Sequence, residues 1–428
     1  MFAEEIIRAG RDQVDEVEVF FSTATSISAD LKREKIAIGS ISEGSGLIIR
    51  VIKDGKVGVS STNNPATWRK TLDAAIASSS FADRVDWKGL PGPIDLDQRP
   101  LACDPAVEAE PDILTDLLER MLTGSLEYEA QVTGGGVTLS SGSQQIINSN
   151  GLSYEVPSTH VSLSLEMIAG QSTGFEHDSS WKLSEINPEK IGETAAFFAA
   201  KGQNGDEIET GTYDIVLSPV AISQLLSAAI IPALSGKNVH TGRSFFAGKI
   251  GDMVMDSHAS LIDDPFDSRG ISNCRWDDEG MPVQKTVFVQ NGVLQSFAYD
   301  LKTAYLYGEK PTAHGVRTGI GGSPGIGEHN LILTAKTDNI MAEDAVYVHD
   351  LIGAHTANPM SGDFSVEFSS PFFIRDGELD RPIRTGMLSG NVFELFKQIE
   401  GSSVETRTLG SLIIPSVRIS DVTIVGRG

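Results

Sequence analysis

Apolar runs alternate with polar gaps along the chain, and four of the gaps hold an Asx-Gly pair: Asp54-Gly55, Asn150-Gly151, Asn291-Gly292 and Asp376-Gly377. Asn or Asp followed by Gly tolerates the positive φ angles of a tight turn, so each pair predicts a β-hairpin. The clearest has Leu47-Ile48-Ile49-Arg50-Val51-Ile52 before the turn and Val57-Gly58-Val59 after it. Helical spacing takes over elsewhere. Ile113, Leu114, Leu117, Leu118, Met121 and Leu122 predict a helix between Pro111 and Tyr128, and further helices are expected over 66–77, behind Asn63-Asn64-Pro65, and over 187–200. Between the last two helices the pattern predicts strands over 131–139, 144–147 and 152–167.

Pro and Gly punctuate the chain. Gly89-Leu-Pro-Gly-Pro, then Arg99-Pro100 and Asp104-Pro105, mark one boundary, and Gly202-Gln-Asn-Gly-Asp marks a second. Beyond the second, Tyr213 to Leu217 predicts a short strand. Ser218 followed by Pro219 then reads as an N-cap with proline in the first helical position, opening a helix to about Ile231. The remainder is rich in strands and Gly, with strands expected over 286–290, 293–299, 331–334, 365–374, 412–419 and 422–425. No solenoid repeat is visible. The reading is an α+β fold with N-terminal α/β units over 1–90 and 105–205, followed by a β-rich C-terminal domain over 210–428.

Composition narrows the function classes. A 428-residue chain that is 40% hydrophobic and 21% charged is globular and too long for one ordinary core. The acidic start, Met1-Phe-Ala-Glu-Glu, does not look like a secretory signal, and the longest apolar stretch, Leu225 to Leu234, is too short for a membrane span and contains Pro232. Two distant cysteines, Cys103 and Cys274, fit a reducing compartment and give no CxxC metal or redox motif. The expectation is a soluble, cytoplasmic protein. A net charge of −24 speaks against nucleic acid and anionic membranes as partners, because both repel an acidic surface. The densest basic cluster, Lys32-Arg33-Glu34-Lys35, is short.

Chemistry is sparse in the linear sequence. Gly319-Ile-Gly-Gly-Ser-Pro-Gly-Ile-Gly is broken by a proline and opens no helix, so it reads as a loop and not as a dinucleotide cradle. Gly236-Lys237 lacks the rest of a P-loop. The eight histidines are scattered; His177, His240, His258, His349 and His355 pair with no other at metal-ligand spacing. Ser-His-Asp triads assemble in space, but no Gly-x-Ser-x-Gly elbow points to one. No catalytic residue and no metal ligand is assigned.

From Gly211 onward the chain resembles the TldD/TldE family, historically termed modulators of DNA gyrase. The matching residues are Tyr213-Asp-Ile-Val-Leu-Ser-Pro, Leu225-Leu226, Gly236, Ser244-Phe-Phe-Ala-Gly-Lys-Ile-Gly, Asp263-Asp264-Pro265, Asp277-Asp-Glu-Gly, Asn291-Gly-Val-Leu, Tyr299-Asp, Thr303-Ala304, Thr356-Ala-Asn, Ser361-Gly-Asp-Phe-Ser and Pro415-Ser. Gly44-Ser-Gly-Leu and Asn148-Ser-Asn-Gly-Leu extend the resemblance over nearly the whole chain. It implies that TldD-type subunits carry His-Glu-x-x-x-His on the helix after the first C-terminal strand, with a cysteine in a late Gly-rich loop. That is the outfit of a zinc hydrolase, in which the metal lowers the pKa of bound water and the Glu takes its proton.

Aligned on Leu225-Leu226 and Gly236, the motif places its first His on Ser227, its Glu on Ala228 and its second His on Pro232. The late loop, Arg407-Thr-Leu-Gly-Ser-Leu-Ile-Ile-Pro, has no cysteine. The resemblance therefore points to the TldE (PmbA) branch. It implies a non-catalytic subunit of a cytoplasmic TldD/TldE zinc metallopeptidase acting on peptides or unfolded segments, with no cofactor in this chain and zinc only in a TldD-type partner. Ser361, Gly362, Asp363, Phe364 and Ser365 are the candidate peptide-binding residues beside the degenerate cleft; a turn that needs Gly for backbone reasons explains the same run. Two other classes stay open. One is a homodimeric peptide-binding or regulatory protein using open strand edges. The other is a hydrolase with a Ser or His site of its own.

Overall fold

A computed structural model describes residues 2–33, 35–93, 101–272, 274–317 and 324–426. Residues 319–323 of the Gly-rich run lie outside the described residues. Six antiparallel strands form the N-terminal sheet: β1 (Glu16–Lys32), β2 (Lys35–Lys53), β3 (Lys56–Thr62), β4 (Gln131–Asn148), β5 (Ser153–Ala169) and β6 (Ser172–Ser180). Their order is β3-β2-β1-β4-β5-β6, so the segments read as two units share one sheet through β1 and β4. Four helices flank it: α1 (Phe2–Arg11), α2 (Trp68–Ser79), α3 (Pro111–Ser125) and α4 (Pro188–Lys201).

Each half is helix, three strands, helix, and the halves meet about a pseudo-twofold axis near the Ala24–Gly142 pair. Two glycines mark the correspondence. A Cβ on Gly58 of β3 would lie 2.1 Å from the Ala75 carbonyl oxygen of α2, and one on Gly174 of β6 would lie 2.0 Å from the Ala195 carbonyl oxygen of α4. In both halves the third strand therefore runs under a helix at a distance only Gly permits. The repeat is structural, with no periodicity to betray it in the sequence.

The Asx-Gly pairs largely act as expected. Asp54-Gly55, Asn291-Gly292 and Asp376-Gly377 have positive φ at both residues and close two-residue hairpins. Asn150-Gly151 sits in a longer turn from β4 to β5, because the buried Asn148 side chain accepts from the N–H groups of Asn150 and Leu152. The expected strands over 131–139 and 144–147 are one strand, β4. Helix α1 was not anticipated, although Ala3, Ile6, Ile7 and Gly10 form its buried stripe at helical spacing.

The C-terminal part adds β7 (Gly211–Leu217), β8 (Ser260–Asp263), β9 (Thr286–Gln290), β10 (Val293–Leu294), β11 (Gly315–Val316), β12 (Gly325–Ile326), β13 (Leu331–Thr334), β14 (Ala345–Ile352), β15 (Asp363–Arg375), β16 (Glu378–Pro382), β17 (Gly386–Asn391), β18 (Ile399–Leu409) and β19 (Leu412–Gly426). Strands β7, β14, β15, β17 and β19 pair in turn, and β19 returns to β7, closing a barrel. Closure removes edges that would otherwise invite pairing with other chains. Strand β13 continues from the start of β19 and carries β8 beside it. The fold is mixed α+β with a β-rich C-terminal part. No helix among the described residues is long and apolar enough to cross a membrane.

Charged side chains lock the two parts together. Glu18 on β1 takes Arg50 of β2 at 2.5 Å and Arg317 of the C-terminal part at 2.5 Å, while Arg50 also pairs with Glu279. Burial disfavours the Arg50 charge, but Glu18 and Glu279 outweigh it and hold the guanidinium protonated. The Asp277-Asp-Glu-Gly run thus makes a turn whose Glu279 reaches the other sheet. A second seam joins Arg407 of β18 to Glu176 of β6 at 2.6 Å, with His349 of β14 3.5 Å from the same carboxylate.

Candidate functional site

The helix that follows β7 carries the positions matched to the metal motif. Ser218 caps it, its hydroxyl oxygen accepting from the N–H groups of Val220 and Ala221, and Pro219 fills the first turn. The helix is α-helical over Pro219–Leu225, π-helical over Leu226–Ile230 and α-helical again over Ile231–Leu234. Proline explains the wide turn. Pro232 has no N–H to give, and its ring would strike the carbonyl four residues back, so the turn opens and the Ile231 N–H reaches Leu226 O, five residues away.

The inner side of this helix is core: Leu225, Leu226, Ala229, Ile230 and Ala233 are fully buried. The outer side holds Ser227, exposed, with Ala228 and Pro232 half-buried. Ser227 and Pro232 border two cavities. One, of about 430 Å³, continues to Asn238, Phe288, His314 and Glu328. The other, of about 930 Å³, continues to Gln224, Arg243, His355 and Met360. A hydroxyl, a methyl and a pyrrolidine ring offer one weak donor between them, so a zinc ion of the hydrolytic type does not fit here. In the late hairpin the Ser411 hydroxyl donates at 2.7 Å to Glu328, which lines the first cavity.

Of the binding residues expected from sequence, Ser361 to Ser365, none lines the second cavity, whereas Pro359 and Met360 just before them do. Gly362 has φ +84°, and Asn391 donates to Ser361 O at 2.7 Å and to Asp363 at 2.9 Å. Phe364 is buried in the core. The run makes a braced turn that enters β15 at the rim of the cavity.

The sequence reading passed over a second centre. Asp263 ends β8, and its pairing with Leu331 folds His329 and Asn330 across its carboxylate. The N–H groups of His329 and Asn330 donate to it at 3.1 and 2.7 Å, and His329 Nδ1 lies 3.0 Å from Oδ2. His314 Nε2 stands 3.0 Å from the same oxygen. Asp263, His314 and His329 are 0%, 1% and 5% exposed. Burial alone would raise the Asp263 pKa, but the imidazoles of His314 and His329 beside it overcome that and hold the carboxyl well below its ordinary range. Burial also opposes a charge on His329, and its contacts with Asp263 and Cys274 reverse that and raise its pKa well above 6.5. A signal for this centre existed: Asp263-Asp264-Pro265 lay among the family-matching residues. Nothing linear tied it to His314 and His329.

Comparison with known proteins places these features in a family frame. The chain matches the PmbA/TldA metallopeptidase C-terminal domain over 210–426, domain 1 over 17–79 and the central domain over 104–202. A protein of Methanocaldococcus jannaschii is 33% identical over 97% of this chain and 98% of its own. A protein of Methanothermobacter thermautotrophicus named a metalloprotease is 26% identical over 92% of this chain and 89% of its own. The crystal structure of TldE from Thermococcus kodakarensis superposes with a TM-score of 0.92 at 28% identity, over 100% of both chains.

Proposed function

The chain belongs to the PmbA/TldA metallopeptidase family, and from that premise we propose that it is a TldE-like, non-catalytic subunit working with a TldD-type metallopeptidase on peptides or unfolded segments. One observation carries the reading: Ser227, Ala228 and Pro232 occupy the outer face of the helix where the family motif would supply two ligands and a base. No hydrolytic step is assigned to this chain. Its part is to shape the chamber. The cavities beside Ser227 and Pro232 are large enough, at about 430 and 930 Å³, to take side chains of an extended peptide. The Ser361–Ser365 turn does not line these cavities, and its assigned part is to contact the peptide from the rim, next to Pro359 and Met360.

Co-expression with a TldD-type protein tests this. The two chains should co-purify, the pair should cleave peptides, and this chain alone should not. Turnover by the purified single chain would overturn the reading. A stable homodimer that binds peptide and ignores the partner would replace it with the peptide-binding alternative.

A further inference from the structure

We propose that Asp263, His314 and His329 form a binding site for a divalent transition metal of the zinc class, apart from the helix positions matched to the family motif. The proposal does not depend on the subunit reading. Each of the three residues offers one ligand atom, and these atoms lie within 4.8 Å of one another. Asp263 Oδ2 is 3.0 Å from His314 Nε2 and 3.0 Å from His329 Nδ1. Ligand atoms of a tetrahedral site with bonds near ~2.0 Å stand about 3.3 Å apart, so little movement is needed to admit an ion.

The surroundings of His314 argue for a cation. Thr312 Oγ1 accepts from the Tyr299 N–H at 2.7 Å, and it lies 3.2 Å from Tyr299 O and 2.8 Å from His314 Nδ1. When Nδ1 carries the ring proton and donates it to Thr312 Oγ1, Nε2 faces the Asp263 carboxylate with a bare lone pair. Nε2 is buried and has no hydrogen-bond partner among the described residues, although a carboxylate oxygen stands beside it. In that tautomer two electron-rich atoms stand in contact, and a shared metal ion would hold them together. A Thr hydroxyl behind one imidazole is also the outer support that metal-bound histidines use.

The donor types select the ion. Imidazole nitrogens with one carboxylate suit zinc or cobalt, whereas calcium and magnesium prefer all-oxygen cages. Cys274, in contact with His329, offers a further donor. Because the centre is almost fully enclosed, the role is structural: the ion would clamp β8 to the segments before β11 and β13, which sequence separates by roughly 50 to 70 residues.

The test uses the full chain, dialysed against a chelator and then titrated with Zn²⁺ by calorimetry and with Co²⁺ by visible absorption. One equivalent should bind, with the strong visible bands of tetrahedral cobalt. His314→Gln, with folding verified by circular dichroism, should weaken binding by at least about tenfold. Ser227→Ala should leave the stoichiometry unchanged. The proposal is overturned if the wild-type chain takes up no metal, if His314→Gln binds as tightly, or if Ser227→Ala abolishes binding.

Discussion

Two walls of one cavity invite comparison. Ser227 and His314 both line the space of about 430 Å³, yet they belong to opposite kinds of structure. The helix wall has the position expected of a metal motif without the donors. The Asp263 wall has donors, buried and close together, with no motif to announce them. A catalytic motif is visible in sequence because a helix repeats every few residues, so its ligands are close in the chain. The ligand atoms at Asp263 come from three separate segments and are brought together by strand pairing. The lesson is that empty motif positions describe one helix face and leave the rest of the cavity wall undescribed.

The largest expected effect would break this contrast at its donor side. Asp263→Ala leaves two backbone N–H groups and a histidine without their buried acceptor, and it should destabilise the fold by about 3–5 kcal/mol. Chemical denaturation measures it, and a loss below about 1 kcal/mol would mean the centre is peripheral to the fold. On the helix side, Ala229→Leu forces a larger side chain into a fully buried position and should cost about 1–3 kcal/mol while leaving co-purification with the proposed TldD-type partner unaltered. Denaturation paired with co-purification reads both.

Acid should loosen the seam that holds these walls beneath the N-terminal sheet. Burial lowers the pKa of His177 and of His349 below the ordinary 6.5. The folded state then binds fewer protons than the unfolded chain below that value, so stability is complete at neutral pH and declines as pH falls through it. Burial favours the neutral form of Glu176, but Arg407 and His349 outweigh it, and its lowered pKa adds further loss below about 4.5. The melting midpoint should therefore drop by a few degrees between pH 7 and pH 5, and His349→Phe should flatten that slope. The smallest effect belongs to Ser227→Ala, which should change stability by no more than about 0.5 kcal/mol because the hydroxyl is exposed. A larger change would show that the helix face is more than an empty site.

Much of the local architecture was legible. The Asx-Gly turns, the Ser218 cap, the stripe of helix α3 and the family resemblance all follow from residues close in sequence. The candidate site was legible only on its helix side. His314 and His329 were passed over because pairing at ligand spacing is a local criterion, and their common partner Asp263 lies 66 residues before His329. Helix α1 was missed although its stripe was present, since the acidic opening was read for targeting alone.

What the sequence determined by itself is what side-chain identity and short-range backbone rules control. Gly admits positive φ after Asn or Asp, Pro232 cannot donate to the helix ladder, and Ser, Ala and Pro cannot replace His, Glu and His. Tertiary structure alone decided that two N-terminal units share one sheet, that β19 closes a barrel on β7, and that one carboxylate meets two imidazoles. Those outcomes depend on which strands pair across long stretches of chain. Pairing is chosen by the fit of whole faces, and no local residue pattern encodes it.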